Sequence, residues 1–367
     1  MYVANVVVVG GGVIGLSASW RLAAAGHAVT LVDPEPARGG ASWLAGGMLA
    51  PVTEGWPGEE DVLELGVASL ASWPAFAAEL GIALPTTGTV VAAVDAADAA
   101  ALDILAGHLA TLGRQVRRLS GRELRAVEPT IGPSVRSGLM VPGDLFVDNR
   151  ELLRALLSAA RGAGVVEVRE PVRAVAAGAV TRTDGRTIDC DVAVLAAGAW
   201  SAALHPALRS LVRPVKGEIL RLRGRPGALP PPARTVRALV ESRSVYLVPR
   251  ADGGLVLGAT QYEAGFDTDV TVGGVRDLLA DAERVLPGIA EYALVESAAG
   301  PRAGSRDNLP LIGWLEPGVL AATGHHRNGL LLAPITAAAV LAAVAGDPVP
   351  AAARAADPAR LTDGVHR

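Results

Sequence analysis

Val6-Val7-Val8-Val9 runs directly into Gly10-Gly11-Gly12-Val13-Ile14-Gly15. A continuous β-branched run of this length reads as a strand buried on both faces. Ile14, Leu16, Ala18 and Leu22 then mark a helix that ends near Gly26, a residue suited to the C′ position. A second strand, Ala28 to Val32, ends in Asp33, eighteen residues after Gly15. Strand, glycine turn, helix and strand with a terminal acid form a βαβ unit built for a dinucleotide. Gly10 permits the tight turn, Gly12 lets a pyrophosphate approach the backbone, and Gly15 lets the helix pack closely. The helix N-terminus offers unpaired N–H groups to the phosphates. Asp33 can accept hydrogen bonds from ribose hydroxyls, and its charge disfavours a 2′-phosphate.

The chain has 367 residues, enough for about two domains. Half of them are hydrophobic and 19% are charged, which excludes a disordered chain and allows a large core. The net charge is -4 and Lys216 is the only lysine, so no basic stripe for nucleic acid exists. Cys190 is the only cysteine. It provides neither a disulfide framework nor a Cys-based metal site, and it reads as a small buried hydrophobe. No metal is expected. No positive region precedes Val6–Val9, so no signal peptide is expected. Gly329 to Gly346 is eighteen residues without a charge, the lower limit for a membrane span. Its apolar content is mostly alanine and Pro334 lies inside it, so a core helix started by proline is the expectation. No membrane association and a cytoplasmic location follow.

Later segments continue the α/β pattern. Asp148 and Glu151 read as an N-cap and its N3 acid, with Leu152, Leu153, Leu156, Leu157 and Ala160 forming one apolar face. Val165 to Val168 and Val192 to Leu195 read as strands. Residues 86–94 and 236–260 are strand-like, and Ala251-Asp252-Gly253-Gly254 turns one strand of a hairpin onto the next. Period-two alternation then puts Tyr246 and Gln261 on one face. Val275, Leu278, Leu279, Ala282 and Leu286 form the apolar side of a helix stopped by Pro287. Residues 226–232 read as a proline-rich loop, and the tail after Pro348 as frayed. Two stretches do not fit a core helix or strand. Gly39 to Pro51 is rich in small residues, as a backbone lying against a flat ring requires. Gly324 to Pro334 is a glycine-bounded loop that leads into a helix with proline in its first turn.

With these pieces in order, the sequence resembles the D-amino-acid oxidase superfamily of FAD enzymes, and within it the glycine oxidases of thiamine biosynthesis. The matching segments are the N-terminal fingerprint, Ala45 to Pro51, Val245 to Arg250, Gly258-Ala259-Thr260, Gly300-Pro301-Arg302 with Asp307 and Pro310, and Gly324 to Pro334. The resemblance implies an α/β fold: a Rossmann-like, glutathione-reductase-type FAD domain with an inserted antiparallel-sheet substrate domain. The FAD domain would comprise 1–85, 145–215 and 300–367, and the substrate domain 86–144 and 216–299. It implies FAD contacts at Gly10, Gly12, Val13, Ile14, Gly15, Asp33, Pro34, Ala41, Ser42, Gly46, Gly47, Met48 and Val172. The C-terminal loop adds His325, His326, Arg327, Asn328, Gly329, Leu330 and Leu331, the two histidines as backbone donors. Related enzymes with covalent flavin attach it to a cysteine in the C-terminal half. Cys190 precedes that region, so non-covalent FAD is expected.

A buried substrate carboxylate needs a fixed cation, and a guanidinium can hold it bidentately. The resemblance assigns this role to Arg302, with a hydroxyl from Tyr246 and with Arg327 near flavin and substrate. The implied reaction is oxidative deamination of glycine by O2, with the Cα hydrogen leaving to flavin N5 and the imine feeding thiazole formation. The chain departs from its relatives at Gln261 (an apolar methionine in a glycine oxidase), Ala298 (often Trp) and Asn308 (often Gly). A D-amino-acid or sarcosine oxidase or dehydrogenase is therefore the close alternative. A quinone-linked membrane dehydrogenase and a flavin-binding module without turnover are the distant ones. The expected partners are a small amino acid (glycine, sarcosine or a D-amino acid) and O2, and a homo-oligomer stays open.

Overall fold

The computed structural model describes residues 3–361. A six-stranded sheet has the order Leu311–Glu316, Val319–Thr323, Val192–Leu195, Asn5–Val9, Ala28–Val32, Val166–Val168. The first of these strands pairs antiparallel with the second; the remaining pairs are parallel. Val6–Val9 are all buried and alternate between two cores. Val6 and Val8 face the helices Val13–Ala24, Asn149–Gly162 and Ala333–Ala345. Val7 and Val9 join a core with Val175 and Val180 of a three-stranded sheet on the opposite side. Each such valine contributes roughly 1.5–3 kcal/mol by leaving water, so this strand fixes the centre of the layer.

The second large sheet has eight strands, in the order Tyr292–Gly304, Arg213–Gly224, Gly254–Gly258, Arg243–Pro249, Thr235–Val240, Thr89–Ala93, Ser137–Val141, Arg117–Ser120. It is mixed rather than purely antiparallel, because Thr235–Val240 runs parallel to Thr89–Ala93. The hairpin around 251–254 forms as expected, with Tyr246 opposite Gly258. Two neighbouring strands of the sheet cross the boundaries drawn from sequence: Arg213–Gly224 starts before 216, and Tyr292–Gly304 runs past 300.

Other expectations need adjustment. The helix before Pro287 starts at Val272, earlier than its apolar positions suggest, because Thr271 caps it by accepting from Gly274 N at 3.0 Å. The tail is not frayed over 351–361. Ala353 and Ala356 are buried in the main core, and Arg360 pairs with Asp307 at 2.8 Å. Small side chains three apart fit a 3₁₀ turn without a periodic apolar stripe to announce it. The uncharged C-terminal stretch resolves into a turn and a 13-residue helix with Pro334 in its first turn and Gly346 at φ 74° as its cap. Among the described residues no helix is long and apolar enough to cross a membrane.

Candidate active site

Two cavities meet at Ala41, Ser42, His326 and Gly329. The larger, about 780 Å³, lies over the glycine turn. It is lined by Gly10, Gly12, Val13, Ile14, Asp33, Pro34, Val172 and His325 as well as by the shared residues. Gly15 is outside it and is structural. A Cβ there would lie 1.8 Å from the Gly10 carbonyl oxygen, so only glycine lets the helix start this close to the turn. Gly10, at φ 107°, would place its Cβ 2.4 Å from the Ala196 oxygen. Asp33 closes the turn by accepting from Gly11 N and Glu35 N, each at 2.7 Å. Burial pushes its carboxyl up, against those two hydrogen bonds. Each oxygen keeps lone-pair capacity for a ribose hydroxyl.

The loop with small residues is pinned from behind. Asn149 donates to Ser42 O at 2.9 Å and Trp43 O at 2.8 Å, and Arg250 donates to Gly46 O at 2.8 Å. Arg250, in a family-like segment, is thus a buried strut. Ser42 Oγ accepts from Val13 N at 3.0 Å, joining this loop to the helix N-terminus. In the C-terminal loop, the two adjacent histidines diverge as loop residues do. His325 reaches Thr336 Oγ1 at 3.0 Å in the core. His326, held at φ 46°, has both ring nitrogens buried with no protein partner, and it lines both cavities. Burial, reinforced by Arg327 and Arg302, pulls its pKa down to about 4, so the ring is neutral. Its backbone does not serve as the cofactor donor expected from sequence, because His326 N already donates to Ala303 O at 2.7 Å. Asn328 N likewise donates to His325 O. Neither Asn328 nor Leu331 lines a cavity. The Leu331 carbonyl instead accepts from Ser69 and Trp73, which fixes the loop.

The smaller cavity, about 260 Å³, holds Gly46, Gly47, Met48, Tyr246, Arg302, Arg327 and Leu330, on the face of the eight-stranded sheet. The Tyr246 ring fits between two glycines: a Cβ on Gly46 would lie 2.6 Å from it, and one on Gly258 2.4 Å from its hydroxyl. Burial raises its pKa, so the phenol remains a donor. The Arg302 guanidinium lies over Gly217, where a Cβ would come within 2.2 Å of Nη1. It donates to Thr260 O at 3.2 Å and has no carboxylate partner among the described residues. Gln261 also lines this cavity, but it lies beyond the Gly254–Gly258 strand, so period-two alternation is not what brings it beside Tyr246.

Sequence reasoning missed Glu54 and Arg237. Glu54 accepts from Arg237 Nη1 and from Arg327 Nε, the latter at 2.8 Å. Arg327 also grips Glu59 at 2.6 Å. Burial pushes the Glu54 carboxyl up, but the two guanidinium groups reverse this and hold it at about 2. The signal for Arg237 was present: it is a lone arginine inside the apolar run Thr235–Val240. Ala298 and Asn308 line neither cavity, and Asn308 ties to Glu59 instead.

The residues present fit an FAD. A glycine-floored cradle, a helix N-terminus, an acid at the end of the second strand and an orphaned neutral imidazole lie along one continuous hollow. Cys190 is outside both cavities, and burial pushes its thiol up to about 11, so it is no site for flavin attachment. Among the described residues no cluster could hold a metal ion.

A family model described as FAD dependent oxidoreductase (DAO) matches residues 5–343. The glycine oxidase of Geobacillus kaustophilus is 33% identical over 351 residues, covering 90% of each chain. A putative thiamine biosynthesis oxidoreductase ThiO of Rhizobium etli is 32% identical, covering 92% of this chain and 95% of that one. The crystal structure of the Geobacillus glycine oxidase superposes with a TM-score of 0.87 at 31% identity, covering 97% of this chain and 98% of the other.

Proposed function

Because the chain belongs to the DAO family of FAD dependent oxidoreductases, we propose that it oxidises glycine: glycine, O2 and water give glyoxylate, ammonia and hydrogen peroxide. The observation that carries this reading is Arg302, a guanidinium with no acid partner among the described residues, held over Gly217 in a cavity sized for a small amino acid and continuous with the dinucleotide hollow. Bound non-covalently in the hollow, FAD would supply the two-electron redox chemistry that links the amine to O2.

The protein's part is orientation and electrostatics. Arg302 holds the substrate carboxylate with a fork, and Tyr246 adds its hydroxyl. Arg327 is fixed by Glu54 and Glu59 in the wall of the smaller cavity. Asp33, Val172 and the glycine turn, which line the larger hollow, would hold the adenosine end of the FAD, and the small-residue loop Gly39–Met48 would lie against its ring. The N–H groups of Gly329, Leu330 and Leu331 have no backbone acceptor among the described residues. Of these, Gly329 and Leu330 line the substrate cavity, and their N–H groups form a donor set for negative charge developing in the reaction. His326 is too weak a base to deprotonate an ammonium substrate. Substrate therefore enters as the free amine, and kcat/KM rises with pH until the amine itself is titrated. The relative named as a putative thiamine biosynthesis oxidoreductase supports the further reading that the imine supplies thiazole formation.

Gln261 favours a second reading, in which N-methylglycine or a D-amino acid is the better substrate. One anaerobic screen separates the two. Glycine, sarcosine, D-alanine and D-proline are added to the yellow protein, and bleaching rates are compared. Rapid bleaching by glycine, with peroxide released on admitting air, supports the first reading. A faster rate with another amine favours the second, and no bleaching by any of them defeats both.

A further inference from the structure

Resting on the amine-oxidase reading, we propose that Lys216 and Glu218 are positioning residues for the substrate carboxylate: from the far face of the sheet they fix the loop whose backbone orients Arg302. Among the described residues the Arg302 guanidinium makes one hydrogen bond, to Thr260 O at 3.2 Å. It lies over Gly217. Side chains alternate along a strand, so Lys216 and Glu218, on either side of Gly217, face away from the cavity. Neither lines it, whereas Gly217 and Ile219 do. The triplet Lys216-Gly217-Glu218 thus builds the anchor from both faces of one strand. The glycine leaves room for the guanidinium, and its two neighbours hold the acceptor that aims it.

The loop runs over 259–271, between the strand Gly254–Gly258 and the helix Val272–Val285, and residues 261–269 are exposed. Glu218, fully buried, holds both of its ends. Glu218 N donates to Thr260 Oγ1 at 2.9 Å, and that hydroxyl donates to one carboxylate oxygen at 3.1 Å. Thr271 N donates to the other oxygen at 2.7 Å. Lys216, also buried, holds the middle. Its backbone exchanges two hydrogen bonds with Tyr262, at 2.9 and 3.0 Å. Its ammonium pairs with Asp267 at 2.5 Å and lies 3.8 Å from Glu218. An ammonium withdrawn from water is costly without an acid beside it, so the buried charge is satisfied only while Asp267 stays down. Two further ties, Glu263 on Arg213 and Phe266 beside Trp200, are exposed. An exposed ion pair contributes little, so the buried clamp sets where Thr260 O lies.

Thr260 lets the clamp be opened without removing the carbonyl that Arg302 uses. On the FAD-loaded protein, Thr260→Val and Lys216→Met should each raise KM for glycine tenfold or more. Flavin content and kcat should stay within threefold of the parent. Thr260→Ser, which keeps the hydroxyl, should change KM less than threefold. Placed in Arg302→Ala, the first two changes should alter kcat/KM less than twofold, because the group they position is gone. A KM within threefold of the parent in both variants, a loss carried by kcat instead, or a full effect that persists without Arg302 overturns the proposal. A second measurement needs no clamp variant, should these fail to load FAD. Lys216 is the only lysine, so lysine acetylation reports on it alone. Coupling is reciprocal, so a carboxylate held by Arg302 must in turn steady the loop. Glycolate should slow acetylation at least fivefold in the parent and not in Arg302→Ala. Equal rates with and without glycolate in the parent, or protection that survives Arg302→Ala, overturn the proposal. If no amine bleaches the flavin, the oxidase reading fails, while glycolate protection still decides whether clamp and anchor are coupled.

Discussion

The two cavities are built in opposite ways. The dinucleotide hollow takes its floor from one short run, Gly10 to Ile14, and its far wall from Asp33, all inside a single βαβ unit. Backbone does most of the work there: N–H groups, a carbonyl and positions where a Cβ cannot fit. The substrate cavity takes side chains from strands scattered between residues 213 and 304, and it is closed by Glu54 and Arg327 from other parts of the chain. A site made of backbone is tied to the spacing of a motif. A site made of side chains is tied to the order of strands in a sheet. The first should break from a single methyl group, whereas the second should lose function with its fold intact.

The sharpest break is Gly15→Ala. Its new Cβ would fall 1.8 Å from the Gly10 oxygen, a clash between backbone segments that no rotamer relieves. The expected result is near-total loss of bound flavin, read as yellow colour per mole of chain. Normal loading would show that this turn is not the cradle.

Arg302→Ala should leave flavin content and melting temperature close to the parent. It should lower kcat/KM for glycine by about a hundredfold to several thousandfold, because a substrate carboxylate left unpaired costs roughly 3–5 kcal/mol. Arg302→Lys should recover part of this, since an ammonium cannot fork onto both oxygens. Activity within a few fold of the parent would remove Arg302 as the anchor.

Gly217→Ala sharpens the contrast with Gly15. Here the Cβ meets the far end of a flexible side chain, 2.2 Å from Arg302 Nη1, so the fold can yield by moving the guanidinium. We expect normal flavin and a KM for glycine raised about ten- to a hundredfold. An unchanged KM would mean that Arg302 does not need this position.

The smallest effect is on stability. Asp144 is fully buried and its carboxyl is pushed up to about 7 by burial, from an ordinary value of 3.8. The folded state therefore holds a proton that the unfolded state has lost, and stability falls as pH rises through that window before levelling off above it. Asp144→Asn removes this slope. Relative to the parent it should gain about 2–3 kcal/mol on going from pH 5 to pH 8. Parallel melting curves for the two proteins across that range would refute the assignment.

Much of the first region was legible because its signals are local. The valine run, the three glycines and Asp33 each act on neighbours within about thirty residues, and the structure places them as the spacing implies. Even there the sequence could not say where each N–H goes. His326 looked like a backbone donor to the cofactor, yet its N–H is taken by Ala303, on a strand edge twenty-three residues away in the chain. In the second region single residues were legible and their grouping was not. Arg302 and Tyr246 were found through family-like segments, while Glu54 lies in a 3₁₀ turn with nothing in its local pattern to link it to Arg237.

The sequence by itself determined the βαβ unit, the alternation that buries Val6–Val9 on both faces and the helix begun by Pro334. These follow from steric limits and periodicity, which operate between near neighbours along the chain. Only the tertiary structure decided that Gly217 lies beneath Arg302, that Arg250 is a strut and Arg237 a wall, and that Glu54 joins two arginines. The reason is physical. Long charged side chains take their roles from whatever partner lies within about 3 Å after the sheet has assembled, and a pairing between residues 183 apart leaves no period or spacing in the sequence.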